Sequence, residues 1–179
     1  MGMAHQDHVV DLVDSTGSVI SQKVRKEVDK ANDLYHGVYV LLVTTGKDVV
    51  LSKIPQRDDL PNLYAGKLGL TVATIRRHAE SRDEAAYRAL INEAYIRQPR
   101  LVYLGDIFTN VPDGRMSYIS AYYTIGDVPI AHSKRDIDCF EIMTTKQFET
   151  KIFNNPDLFT PTLHAVWSKY KQVLSEGVH

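Results

Sequence analysis

The stretch Glu80-Ser-Arg-Asp-Glu-Ala-Ala-Tyr-Arg-Ala-Leu-Ile-Asn-Glu-Ala-Tyr-Ile96 decides how the rest of this chain is read. Ser81 and Glu84 have the spacing of a capping box, in which the serine oxygen accepts from a first-turn amide and the glutamate reaches back to the serine amide. A helix is therefore predicted to start at Ser81. Ala85, Ala86, Arg88, Ala89 and Leu90 are good helix formers that carry it to about Ile96, and Pro99 blocks its continuation. Residues three and four apart share a helix face, so Ala89, Asn92 and Glu93 converge on one spot. The same spacing predicts an i,i+4 ion pair between Glu84 and Arg88.

Outward from this helix, apolar runs and turn residues divide the chain into strands. Val9 to Val13 and Ser18 to Ser21, separated by Ser15-Thr16-Gly17, predict an opening hairpin within an N-terminal extension over residues 8–32, with residues 1–7 as a loose start. Val38 to Val43 is apolar throughout and predicts a buried strand; Thr45-Gly-Lys-Asp48 turns the chain into Val49 to Ile54. Residues 55–69 are rich in Pro, Asp, Asn and Gly and predict a long loop, followed by a strand over Leu70 to Ile75. Leu101 to Phe108 and Met116 to Ile125 predict a second hairpin, and Ile137 to Met143 a further strand. Thr144 or Thr145 caps a helix through Phe153, and Thr160-Pro161 opens another with Leu163, Val166, Trp167, Tyr170 and Val173 at helical spacing.

The 179 residues, 44% apolar with a formal net charge of -1, suit one globular domain and offer no global attraction to nucleic acid or an anionic membrane. Cys139 is the sole cysteine and has no partner for an internal disulfide. Its neighbours Phe140 and Ile142 predict a buried core thiol. With no secretory signal and no apolar run long enough for a bilayer, the expected location is cytoplasmic.

In its frame the opening stretch resembles the Nudix box, G-x5-E-x7-R-E-U-x-E-E-x-G-U with U a bulky apolar residue. The chain fits this frame at Glu80, Arg88, Leu90, Glu93 and Ile96, and departs from it at Thr74, Ala89, Asn92 and Tyr95. The order of elements around it is also similar to that of Nudix proteins. The opening Val9-Val-Asp-Leu-Val-Asp-Ser-Thr-Gly17, Tyr35-His36 ahead of Val38, and Asn155-Pro-Asp-Leu-Phe-Thr-Pro161 resemble the branch related to isopentenyl-diphosphate isomerase. The resemblance implies an α+β fold, a single Nudix domain over residues 1–179 with a mixed sheet sandwiched between helices and the degenerate box over residues 74–96. Isomerisation itself is rejected, because the cysteine motif and His/Glu ligand set it requires are absent.

For function, the resemblance implies hydrolysis of a diphosphate linked to another moiety, in a nucleoside-diphosphate-type substrate, with Mg2+ or Mn2+. Such metals neutralise charge on the phosphate oxygens and activate water, and several carboxylates are needed to hold them. Glu93 is the surviving box carboxylate, expected as ligand and catalytic residue, with a solvated or Arg-paired helix glutamate as the competing reading. Glu80 and Glu84 are the supplementary metal candidates, although helix-start roles account for both. Glu141 stands near the position of a catalytic base supplied from outside the box; partial burial in a sheet is the competing reading. Arg76 and Arg77, with His78, form a cationic cluster able to clamp phosphate oxygens, or else a solvated loop. Lys53 and Arg57 correspond loosely to diphosphate contacts of the related branch.

Two readings of function follow. One is a metal-dependent Nudix hydrolase working through Glu93. The other is a catalytically impaired Nudix domain that binds a small phosphorylated molecule, such as a nucleotide, or a protein partner. A homodimer is compatible with either, and membrane and nucleic-acid partners are not expected.

Overall fold

The computed structural model describes residues 8–29, 31–56, 63–110 and 116–176. The chain opens with β1 (Val9–Val13) and β2 (Val19–Val24), an antiparallel pair that forms its own two-stranded sheet. The turn between them is held by Asp14, whose carboxylate accepts from the Thr16 amide at 2.8 Å and the Thr16 hydroxyl at 2.6 Å. That is the local side-chain-to-backbone bonding that makes Asp a turn former.

The main sheet contains β3 (His36–Thr44), β4 (Asp48–Lys53), β5 (Leu68–Gly69), β6 (Val72–Ile75), β7 (Leu101–Asn110), β8 (Met116–Gly126) and β9 (Phe140–Thr144). Its order is β5-β4-β3-β8-β7, with β6 also paired to β3 and β9 to β4. Strands β3 and β8 run parallel in register from His36 opposite Tyr118 to Thr44 opposite Gly126, and the other pairings are antiparallel, so the sheet is mixed. Helix α1 (Arg82–Glu93) covers one face; α2 (Thr145–Asn154) and α3 (Pro161–Glu176) cover the other. On the α2/α3 face, Phe148 meets Trp167 edge-on at 4.7 Å between ring centres, within a core that includes Leu41, Leu51 and Leu163. On the α1 face, Ala85, Ala86, Ala89 and Leu90 of the helix pack in one cluster with Val38, Val40 and Tyr122 of the sheet. No helix among the described residues is long and apolar enough to cross a membrane.

Three expected elements differ from the observed ones. The strand foreseen over Leu70 to Ile75 is two short strands with a break at Leu70-Thr71. There β3 changes partner from β6 to β4, and the buried Thr71 hydroxyl fills the gap, accepting from the Leu42 amide at 2.7 Å and donating to the Val50 carbonyl at 2.5 Å. The last strand starts at Phe140 rather than Ile137, because Ile137 enters the core from a loop turn bonded to Ser133. Helix α1 ends at Glu93 rather than Ile96, since Tyr95 adopts a left-handed backbone with φ of 55°. Cys139 is half-buried, not a core thiol, because it sits ahead of β9 in that same loop.

Candidate functional site

Helix α1 begins as expected: the Ser81 hydroxyl accepts from the Glu84 amide at 3.2 Å, and Glu84 accepts from the Ser81 amide at 2.8 Å. These bonds hold the exposed Glu84 carboxyl below the usual range and commit it to the cap. Glu84 is therefore no partner for Arg88. Arg88 turns instead to Glu80, donating through Nε to Oε1 at 2.6 Å and through a terminal nitrogen to Oε2 at 2.9 Å. Its remaining donors reach the Thr74 hydroxyl at 3.0 Å and the Ile75 carbonyl at 2.9 Å, and Glu80 Oε2 also accepts from the Arg77 amide at 2.8 Å. Burial opposes the Glu80 charge, but the Arg88 and Arg77 hydrogen bonds outweigh it and hold the carboxyl below its ordinary value. A bidentate clamp of this kind fixes the loop over residues 74–80 to the helix.

The helix face to which the box pattern assigns carboxylates carries Ala89, Asn92 and Glu93. Ala89 is 1% exposed and packs into the α1 core, while Asn92 is exposed. Glu93 is half-buried and accepts from the Ala73 amide at 3.3 Å. The loop ahead of β9 docks beside it: the Ser133 amide donates to the Glu93 carbonyl at 2.7 Å, and the Ser133 hydroxyl donates to Asp136 at 2.7 Å. Burial, then the negative charge of Asp136, pushes the Glu93 carboxyl up to about 8, so it is protonated at neutral pH.

The other expected residues do not all gather here. Glu141 faces Leu51 across the β4–β9 pair and carries an ion pair with Lys151 of α2 at 3.2 Å, so it lies on the α2/α3 face, across the sheet from Glu93. Strand alternation puts Lys53 on the side of Val49 and Leu51, also away from Glu93. Arg57 lies outside the described residues. Arg76 and Arg77 do sit on the α1 side, in the loop between β6 and α1, and Arg76 is paired with Asp11 of β1 at 3.6 Å. A cavity of about 550 Å3 opens elsewhere, on the α3 face between Tyr64, Lys67, Asn110 and His164, and no residue of α1 lines it.

Solved structures show what this arrangement is similar to. The Deinococcus radiodurans protein DR0079 superposes with a TM-score of 0.74 over 90% of this chain and 99% of that one, at 18% identity. A Nudix hydrolase from Nitrosomonas europaea aligns with a TM-score of 0.59 over 77% of this chain and 88% of its own, at 15% identity. The Nudix domain of Shewanella oneidensis NrtR, solved with ADP ribose, aligns with a TM-score of 0.56 over 82% and 90% of the two chains, at 14% identity. The chain has the Nudix fold. No family model matches its sequence, and no curated protein does either.

Against the Nudix frame, the metal requirement is tested by the donors present. Glu80 is spent on Arg88, Glu84 on the helix cap, and Glu141 lies across the sheet. Among the described residues no group of three or more His, Cys, Asp or Glu side chains could hold a metal ion. Glu93 with Asp136 as its charged neighbour does not supply the carboxylate set that Mg2+ or Mn2+ requires, so the residues present do not fit the metal that the Nudix resemblance implies.

A second polar centre under the start of α1 escaped the sequence reading. Ser120 donates to Asp106 at 2.5 Å and lies 2.7 Å from His36 Nε2. Because the single hydroxyl proton goes to Asp106, Nε2 carries the imidazole hydrogen and Nδ1 is left a bare acceptor, buried without a partner among the described residues. Asp106 also accepts from Tyr118 at 3.0 Å and lies 3.7 Å from Arg82. Burial pushes His36 down to about 4, so it is neutral. Ser120 is fully buried, which excludes it as a nucleophile toward any outside substrate. The signal for this centre was a charged residue, Asp106, inside an otherwise apolar strand; Asp11 in β1 carries the same signal.

Proposed function

We propose that this chain is a Nudix-fold domain that binds a small phosphorylated, nucleotide-like molecule and lacks the standard metal-dependent hydrolysis. The observation that carries the reading is the α1 face, where Ala89 is buried in the core, Asn92 is neutral, and Glu93 is the one carboxylate left. A single carboxylate is a weak site for a hard divalent cation, and neither neighbour adds a second. The binding half of the proposal is supported by Arg76, Arg77 and His78 on the loop leading into α1, where guanidinium groups suit phosphate oxygens. The NrtR Nudix domain solved with ADP ribose makes ADP-ribose a reasoned first ligand to test.

Binding of ADP-ribose is measured by calorimetry in the presence of a chelator, alongside a phosphate-release screen of nucleoside diphosphate compounds with Mg2+ and Mn2+. Binding without turnover is the expected result. Metal-dependent turnover that disappears in Glu93→Gln would overturn the proposal and restore a hydrolase, with Asp136 as the first additional ligand to mutate.

A further inference from the structure

The loop leading into α1 already holds an anion, supplied by the chain itself. Asp11 lies in the middle of β1, with a side chain only 8% exposed. Its Oδ1 is 2.8 Å from His78 Nδ1 and its Oδ2 is 3.6 Å from Arg76. The backbone follows the same path: the His78 amide donates to the Val9 carbonyl at 2.9 Å, and Val10 bridges to Arg77. Strand β1 thus lies along the loop and points one carboxylate at two of its side chains, Arg76 and His78.

That carboxylate leaves the cationic side chains incompletely satisfied. The Nε atoms of both Arg76 and Arg77 are buried and find no hydrogen-bond acceptor among the described residues. A guanidinium has five donors in a planar fork, and a buried donor left unpaired costs free energy comparable to a lost hydrogen bond. Phosphate, with more acceptor oxygens than a carboxylate, matches this donor set better. The neighbours of Asp11, Val10, Leu12 and Val13, are anchored in the core, so its carboxylate stays beside the loop in the absence of a ligand.

We propose that Arg76 and His78 form a phosphate site that Asp11 occupies as an internal competitor, so that the N-terminal hairpin sets the affinity of the domain for phosphorylated ligands. This inference rests on the anion reading of the same loop given above. Ligand phosphate and the Asp11 carboxylate compete for Arg76 and His78, and binding requires the β1 carboxylate to give up at least one of them.

The test uses the full chain and inorganic pyrophosphate in chelator, with affinities from calorimetry and folding verified by circular dichroism. Asp11→Asn keeps the shape and removes the charge, and its affinity is expected to exceed the wild type's by about tenfold, the scale of one charge-assisted hydrogen bond released to the ligand. Adding Arg76→Gln to Asp11→Asn is expected to abolish that gain. Equal pyrophosphate affinity in wild type and Asp11→Asn overturns the competition while leaving the anion site standing. Absence of binding in both overturns the anion site, and the competition with it. Where Asp11→Asn folds poorly, Asp11→Glu serves instead: it keeps the charge but misplaces it, and affinity unchanged from wild type counts against the proposal.

Discussion

At the scale of the residue, Tyr95 joins sequence pattern to backbone geometry. The Nudix box has glycine at this position, and here the backbone keeps the left-handed conformation, with φ of 55°, although the residue has a Cβ. The requirement is local: after Glu93 the Ala94 and Ile96 amides both turn back onto the Leu90 carbonyl, at 3.2 and 3.0 Å, and the residue between them must reverse the chain. Glycine reaches that region without steric cost, whereas other L-residues are strained there by about 1 kcal/mol or more. Tyr95 is 56% exposed, so little packing offsets the strain. Tyr95→Gly is accordingly expected to raise the melting temperature by about 2–4 °C, the shift that roughly 1 kcal/mol gives in a chain of this size. A fall in calorimetric melting temperature would show instead that the Tyr95 ring contributes more than its backbone costs.

At the scale of the element, the loop and helix over residues 74–93 are held by the Glu80–Arg88 clamp rather than by the i,i+4 pair that spacing alone suggests. Spacing identifies which side chains can meet along one helix, but it is blind to a loop that folds back. Glu80 reaches Arg88 because the Arg77 amide fixes its second oxygen, and because Glu84 is already bonded to Ser81. Both partners of the clamp are shielded, with side-chain exposures of 15% and 13%. Removing one therefore strands the other. Glu80→Gln and Arg88→Ala are each expected to destabilise by about 3 kcal/mol in urea unfolding, the lower end of the cost of breaking a buried pair. The double variant is expected to lose less than the sum of the two, which is the signature of a shared interaction. Additive losses in that cycle would mean that Arg88 acts mainly through Thr74 and Ile75. Glu84→Gln is expected to leave the clamp intact and to weaken only the helix cap.

At the scale of the whole molecule, apolar runs, capping residues and turn residues made most of the strands along the chain and the three α-helices of the described residues legible, since each rests on interactions within a few positions. The polar centres were not legible, because they are assembled across the sheet: Asp11 meets Arg76 and His78, Asp106 meets Ser120 and lies under Arg82, and Asp136 arrives beside Glu93 on a loop. Two of these centres leave opposite marks on stability. His36, pushed down to about 4 from 6.5, binds fewer protons folded than unfolded between those values, so folding stability rises with pH across that window. Glu93, pushed up to about 8 from 4.5, binds more protons folded than unfolded between those values, so its contribution is present at low pH and is lost as pH rises toward 8. Between pH 4.5 and 6.5 the two slopes oppose each other, and above 6.5 only the Glu93 decline remains. Wild-type melting temperature is therefore expected to fall between pH 6.5 and 8. Glu93→Gln, neutral at every pH, is expected to flatten that decline and to be the more stable protein at pH 8, with little difference from wild type at pH 4.5. His36→Gln is expected to leave the alkaline decline in place while removing the rise on the acid side. A Glu93→Gln profile that parallels wild type from pH 6.5 to 8 would mean that the Glu93 carboxyl is ionised in the folded protein, and would reopen the face of α1 to a cation.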